Sequence, residues 1–272
     1  MKNIIAYILS FILTISIVLS ILVGVLSNTI LSKSYFLGKL DEISFYNRIS
    51  EEIEDTFQNY ILQSGMDETV LENIYTKEKL QQDIQNVVAA LYENQALSIE
   101  TESIKEKLLQ NIEDFLAEKQ LEIDNYEEVN IFIHTIADTY KDGIVYSGKI
   151  MKQLAPLTSK AITQVRNIQP IVYATTAIIA FLVIAISWKE KSNIAKYLGI
   201  SMLAAGGTVM IVKAMLDTQL HIEGIMLLNN VITSLIQNIY TQMVEYIFYM
   251  GAITAILGGV LLIIKVMRLK EN

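Results

Sequence analysis

The sequence predicts an all-α integral membrane protein with four transmembrane helices and a helical-bundle extracytoplasmic domain between the first and second. Three observations predict it. The 272 residues are 52% apolar and 18% charged, against about 25% charged in a typical soluble domain. The excess is local: residues 3–32, 167–188, 197–212 and 246–264 hold no Asp, Glu, Lys or Arg over runs of 30, 22, 16 and 19 residues, and a helix needs about 20 apolar residues to cross a bilayer core. The 137 residues of 31–167, between the first two expected spans, repeat apolar positions at helical spacing. This distribution excludes a soluble enzyme, a disordered tail and a nucleic-acid binder.

The first span opens at Ile4, after Met1, Lys2 and Asn3, and runs to about Val25. That is longer than the 7–15-residue apolar region of a cleaved signal peptide, and Ser27-Asn28-Thr29-Ile30 lacks a small-residue cleavage pattern. Residues 1–30 therefore read as a signal anchor. The second span is expected from Ile168 to Trp188, the third from Tyr197 to Leu216 and the fourth from Tyr246 to Ile264. Trp188, Tyr197, Tyr246 and Tyr249 fall at span ends, where amphipathic rings prefer to sit. Within 168–272, three spans are joined by a short loop, 189–196, and by the segment 217–245.

Orientation follows the basic residues flanking the spans. Lys2, then Lys189, Lys191 and Lys196, then Lys265, Arg268 and Lys270 lie on one side, and the segment 217–245 has no Lys or Arg. The expectation is a multi-pass protein of the plasma (cytoplasmic) membrane with both termini cytoplasmic, and with 31–167 and 217–245 outside. Arg supplies only 3 of the 21 basic residues, a bias that an AT-rich, low-GC Gram-positive genome would produce.

The segment 31–167 carries 24 acidic and 13 basic residues. In 43–62 the apolar set is Tyr46, Ile49, Ile53, Phe57, Tyr60 and Ile61; in 77–94 it is Leu80, Ile84, Val87, Val88 and Leu91. In 102–121 it is Ile104, Leu108, Leu109, Ile112, Phe115 and Leu116, and in 126–142 Val129, Phe132, Ile133, Ile136 and Tyr140. Steps of three and four put each set on one helix face, and each face must bury against another. An antiparallel bundle of four or five helices results. Ser64-Gly65 marks a helix stop, and Asp67, Thr76 and Thr101 mark helix starts. Gly143 and Gly148 are expected to loosen the chain before a last helix leading into span two, with Pro170 in its first turn or at a kink. The segment 225–243 sets Leu228, Val231, Ile232, Leu235, Ile239 and Met243 on one face and uncharged polar residues on the other. It reads as an outer amphipathic helix packed on the large domain. If it continues into span four, the joint helix has some 40 residues and is about 60 Å long.

Candidate site residues are few. His134 and Asp138 stand i, i+4, a spacing that can present two metal ligands, but the only other histidine is His221 and cysteine is absent. A solvated pair is the favoured reading, and no metal, cofactor or catalytic residue is expected. The acidic runs Glu51-Glu52-Glu54-Asp55 and Glu122-Asp124-Glu127-Glu128 lack the glycine turn of a calcium loop and read as solvated faces. Lys213 is the one charge inside a span, four residues before Asp217; a lysine near a helix end snorkels outward and can bridge that carboxylate. Gly251, Ala255 and Gly259 make a small-residue stripe on span four. Ala204, Ala205, Gly206 and Gly207 face it from span three. Packing within the chain is favoured, with a homo-oligomer or an envelope partner protein through the stripe as the alternative. No phosphate loop, catalytic triad, zinc motif or dinucleotide fingerprint occurs.

The order of segments (one span, a large outer domain, two spans, a small outer loop, a fourth span) resembles that of cell-division and efflux permeases that work with an ATP-hydrolysing partner. That resemblance implies a permease-like subunit mechanically coupled to an ATPase. It rests on layout, and the loop 189–196 is too short for a substantial coupling helix. The residues themselves favour a non-enzymatic multi-pass protein. Its acidic outer domain would bind or scaffold another envelope component, basic proteins or cations being the partners its charge selects. An oligomeric transporter or channel is the remaining alternative, although no expected span holds Asp, Glu or His for proton-coupled transport.

Overall fold

The computed structural model describes residues 2–93, 95, 98–121, 125–188, 191–219 and 230–270. Among these the chain is helical throughout, with no strand. The helices are α1 (Lys2–Asn28), α2 (Lys33–Glu42), α3 (Phe45–Ser64), α4 (Lys77–Glu93), α5 (Glu102–Lys119), α6 (Tyr126–Ser187), α7 (Lys191–Gln219) and α8 (Asn230–Lys270), with a short 3₁₀ turn at Glu68–Leu71. Four of them contain stretches long and apolar enough to cross a membrane: Ile4–Asn28, Ser159–Ser187, Asn193–Thr218 and Thr233–Met267. The chain divides into two compact units, one of Met1–Phe36 with Ala161–Asn272, the other Leu37–Lys160.

In the unit containing the apolar helices, α7 packs along α8 and against α1. The α7–α8 seam is built on glycine. A Cβ on Gly199 would stand 2.9 Å from the Gly258 carbonyl oxygen, and one on Gly206 would stand 2.7 Å from the Ala255 Cβ. A Cβ on Gly251 would meet the Val209 side chain at 2.9 Å. Small residues let two helix backbones approach this closely. Gly251 and Ala255 of the predicted stripe are therefore occupied within the chain, whereas Gly207 and Gly259 face open space. Gly199 and Gly258, which the stripe did not include, complete the seam.

Helix α1 is tied in by apolar and hydroxyl contacts. Ala6 and Leu13 pack with Val183 and Tyr197, and Ile21 and Val25 with Val209 and Ile247. The Ser201 hydroxyl donates to the Ser10 carbonyl at 2.8 Å, and the Ser20 and Thr176 hydroxyls are 2.9 Å apart. Tyr197, near the start of the apolar stretch of α7, is only 3% exposed: its ring meets Tyr7 edge-on at 5.2 Å and Lys196 lies over it at 5.3 Å.

In the other unit α3, α4, α5 and the first part of α6 each bury one stripe. Ile49, Ile53, Phe57 and Ile61 are buried on α3; Leu80, Ile84, Val87, Val88 and Leu91 on α4; Ile104, Leu108 and Ile112 on α5; and Ile133, Ile136 and Tyr140 on α6. Gly65 caps α3 in the left-handed conformation, its N–H donating to the Ile61 carbonyl at 3.1 Å. Asp67 caps the 3₁₀ turn and Thr76 caps α4 through the Lys79 N–H at 3.1 Å, but Thr101 makes no side-chain cap on α5. Asn125 caps α6, accepting from the Glu127 N–H at 3.0 Å, a cap the sequence reading missed.

One expectation about continuity changes and another is met. Helix α6 passes Gly143, Gly148, Pro156 and Pro170 without a break. Gly143 is there for closeness: a Cβ would lie 2.6 Å from Ile53 Cγ1. Residues 230–243 continue into the last span as one 41-residue helix, about 60 Å long at 1.5 Å per residue, the joint helix the sequence allowed. They pack inside the apolar unit, where Met243 joins the Ile21–Val209 cluster and the Tyr240 hydroxyl donates to the Leu216 carbonyl at 3.3 Å. Residues 225–229 and His221 lie outside the described residues.

The seam gives a paired prediction. Gly206→Ala overpacks backbone against backbone and is expected to lower stability by about 1–3 kcal/mol. Gly207→Ala, on the open side of the same helix, is expected to be neutral or to gain about 0.5–1 kcal/mol from reduced backbone entropy loss. Thermal unfolding of the two purified variants in the same detergent checks the difference.

Candidate functional site

The residues singled out by sequence do not come together. His134 and Asp138 are both exposed on α6, and no group of three or more metal-ligating side chains exists among the described residues. Glu51, Glu52 and Asp55 are exposed on α3, and Glu127 and Glu128 on the first turn of α6; Glu122 and Asp124 lie outside the described residues. Lys213 pairs with Asp217 one turn on and lies 6.0 Å from the centre of the Phe248 ring. Glu54 of the first acidic run lines a concave site.

That site is a groove of about 700 Å³ in the unit Leu37–Lys160. One wall is α3, through Ser50, Glu54, Phe57 and Gln58; the other is the connection from Asp67 to Lys77. The connection is fixed at several points. Thr69 donates its N–H to the Asp67 carboxylate at 3.0 Å, and Val70 is fully buried. From α5, the Asn111 side-chain amide donates to the carbonyls of Val70 at 3.0 Å and Glu72 at 2.8 Å. Asn73 takes a left-handed backbone conformation (φ 54°), which asparagine tolerates better than most residues.

The connection ends on Tyr75, which forms the floor. The hydroxyls of Tyr75 and Ser50 are 3.0 Å apart, and both donate to Glu54 Oε1, at 3.0 and 2.8 Å. The Tyr75 ring meets Phe57 edge-on at 6.4 Å and Tyr140 at 5.1 Å. Behind it, the Tyr140 hydroxyl donates to Asp83 at 2.8 Å, and Lys79 lies 3.4 Å from the same Asp83 oxygen. An Asp, a Lys and two Tyr are thus arranged in one layer with their polar atoms engaged.

Electrostatics follow from this packing. Burial, aided by the neighbouring Glu54, pushes the Tyr75 hydroxyl well above its ordinary range, and burial with the bond to Asp83 does the same to Tyr140. Both phenols stay neutral at physiological pH. The hydrogen bonds from Thr69, the backbone N–H foremost, hold Asp67 below the usual carboxylate range. The groove therefore presents the carboxylates Glu54, Asp67, Glu68 and Glu72 against the single cation Lys77, over a neutral aromatic floor. It has no histidine or cysteine in its lining. Such a surface can receive a cationic or amide-bearing side chain. The sequence could not have found it, because Ser50 and Tyr75 approach only through the fold of the 66–76 connection.

No family model, curated protein or solved structure matches this chain.

Two outcomes test the layer. Tyr140→Phe removes a buried bond to a charged acceptor and is expected to cost about 1.5–3 kcal/mol, read by denaturant unfolding of the full-length protein. The raised phenols also set an alkaline limit. Above pH ~10 the unfolded chain releases these protons while the folded chain retains them, so their contribution is full below that pH and falls as pH rises. Unfolding monitored between neutral pH and pH 11 should show a smaller alkaline loss in Tyr75→Phe than in the parent.

Proposed function

We propose that the chain is a non-enzymatic multi-pass protein of the cytoplasmic membrane whose acidic helical domain, placed outside, binds or scaffolds another envelope component. The observation that carries this reading is the groove beside Tyr75. Its walls are pinned by hydrogen bonds, its charge is negative, and it lies in a unit with 24 acidic and 11 basic residues. A preformed acidic groove attracts basic partners and repels anionic lipid or wall polymer. The four apolar helices supply the anchor. The placement of 31–167 outside and of both termini inside rests on the basic residues around 2, 189–196 and 265–270 and their absence from 217–245.

The permease-like alternative draws support only from segment order. Helix α6 ends at Ser187 and α7 starts at Lys191, which leaves no length for a coupling helix between them. An oligomeric transporter would have to build its pathway from helices whose stretches Ile4–Asn28 and Ser159–Ser187 carry no Asp, Glu or His.

The absence of native cysteine makes topology directly testable. In intact cells an impermeant maleimide is expected to label Gln95→Cys, which is exposed between α4 and α5, and not Ser192→Cys. Labelling of 192 alone would put the acidic unit in the cytoplasm and end the envelope reading. Binding is tested with a lysine-rich peptide at physiological salt. Glu54→Gln/Glu68→Gln/Glu72→Gln should weaken it at least tenfold. The control Glu113→Gln/Asp114→Asn/Glu118→Gln removes the same charge from the exposed face of α5 and should change it less than threefold. Equal loss in both would mean bulk charge, not the groove, attracts the peptide.

A further inference from the structure

Four helix ends meet at one end of the unit that holds the apolar helices. Ala6 of α1, Val183 of α6 and Tyr197 of α7 share one buried cluster, and a Cβ on Gly199 of α7 would lie 2.9 Å from Leu262 Cγ of α8. The start of α1, the end of α6, the start of α7 and the end of α8 are thus neighbours. Segments 1–7, 188–197 and 264–272 carry seven basic residues and two acidic ones, Glu190 and Glu271, and those two lie outside the described residues. The one carboxylate on α7 is Asp217, 21 residues from Lys196 and so about 30 Å away at 1.5 Å per residue.

Lys196 is held in place at this end. Its ammonium donates to the Tyr7 hydroxyl at 2.6 Å and lies 4.9 Å from the centre of the Tyr7 ring and 5.3 Å from that of Tyr197. A cation within about 6 Å of a ring face is attracted to it. The Tyr7 ring is in turn seated edge-on against the buried Tyr197. An ammonium has three N–H donors, and only the one to Tyr7 is engaged among the described residues; no carboxylate there pairs with Lys196. Because the Tyr7 oxygen accepts from Lys196, its own hydrogen points elsewhere, and no acceptor among the described residues takes it. Two kinds of donor, one of them charged, therefore stand side by side with bonds to give. Their order is set before any anion arrives, which lowers the entropy lost on binding. A phosphate, with several acceptor oxygens and a negative charge, answers both.

The surface beside the ammonium tells a lipid phosphate from a free one. Ile4, Ile8 and Phe11 of α1 are exposed. Ile4 and Phe11 stand three residues before and four after Tyr7, on the same helix face. This apolar strip leads from Lys196 along the stretch Ile4–Asn28 that is apolar enough to cross a membrane. A lysine near the end of a span carries its charge to the level of the headgroups, and basic clusters there attract anionic lipid. We infer that Lys196 and Tyr7 form a headgroup site for a bilayer lipid of net negative charge, such as phosphatidylglycerol. The phosphate sits on the ammonium and the phenol, and an acyl chain lies along Ile8 and Phe11. This rests on the reading of the chain as membrane-spanning and does not depend on which side of the membrane this end faces.

The native chain has one tryptophan, Trp188. In a Trp188→Phe background a single tryptophan is placed at Phe11→Trp, beside the site, or at Phe181→Trp on α6. The two positions are matched: they are 68% and 67% exposed, and position 181 is two residues from Val183, which packs with Ala6 and Leu13. Each full-length protein is reconstituted in phosphatidylcholine vesicles with rising mole fractions of phosphatidylglycerol brominated on its acyl chains. Half-quenching at position 11 is expected at a mole fraction at least threefold below that needed at position 181. Lys196→Gln should bring the two curves together, Tyr7→Phe should narrow the gap, and Lys265→Gln, which removes the same charge from the same end, should leave it open. Brominated phosphatidylcholine should quench both positions in parallel, and inorganic phosphate at constant ionic strength should change nothing.

Superimposable phosphatidylglycerol curves at 11 and 181 in the parent would overturn the site, whatever the variants do. Equal effects of Lys196→Gln and Lys265→Gln would replace it with bulk charge. Preferential quenching at 11 by phosphatidylcholine would overturn the anionic head, and loss of the preference in inorganic phosphate would make the ligand a free phosphate. Absence of quenching at both positions would overturn the membrane reading and the site with it.

Discussion

The backbone-to-backbone approach of α7 and α8 is the constraint on which the apolar unit depends. Between helices surrounded by hydrocarbon, burying apolar side chains gives no preference for a protein neighbour over lipid. Association then rests on van der Waals fit and on hydrogen bonds between helices. The Gly199–Gly258 and Gly206–Ala255 contacts provide that fit. Their consequence is rotational. With Gly206 turned to α8, α7 directs Tyr197, Ser201 and Val209 toward α1, where they meet Ala6 and Leu13, the Ser10 carbonyl, and Ile21 with Val25. Helix α1 in turn engages α6 through Ser20 and Thr176. One glycine seam thus propagates through three successive contacts.

Much of this was legible in the sequence and some was not, for stated reasons. Charge-free runs marked the four apolar helices because a single lysine or glutamate is costly in hydrocarbon, and helical stripes marked α3 to α6 because each must bury one face. Gly65 was legible because its role is local: a left-handed cap needs only its own helix. Gly143 misled because the same residue serves two opposite purposes. A glycine can loosen a chain, or it can admit a neighbour, and only Ile53 on a distant helix decides. The groove was illegible, since no spacing rule connects Ser50 with Tyr75.

The interior of the acidic unit shows how a polar layer can define packing where apolar stripes alone leave freedom. Ile, Leu and Val stripes on α3, α4 and α6 tolerate rotation and sliding, since one methyl replaces another at little cost. The Tyr140–Asp83 bond does not: it forms in one register of α4 against α6. Tyr75, whose ring meets that of Tyr140 at a tilt of 48° and whose hydroxyl bonds Glu54, extends that register to α3. Leaving such groups unmet costs more than the bonds return, so the layer discriminates between packings more than it adds stability.

That rigidity bears on recognition. Carboxylates at an exposed rim act over about one Debye length, ~8 Å at physiological salt, and chiefly raise the rate of encounter. They cannot by themselves distinguish one cationic partner from another. Discrimination must come from what stays fixed while the rim is screened, namely the Phe57 and Tyr75 rings and the hydroxyls of Ser50 and Tyr75. Because both phenols in the layer are held neutral, the field in the groove comes from Glu54, Asp67, Glu68 and Glu72 opposed by Lys77. Glu54 belongs to both sets: it contributes charge, and it accepts the two hydroxyls that form the floor. Under the proposed reading, a cation drawn to Glu54 meets a carboxylate whose Oε1 already accepts from Tyr75 and Ser50, so binding at the rim and the order of the floor would be coupled through one carboxylate.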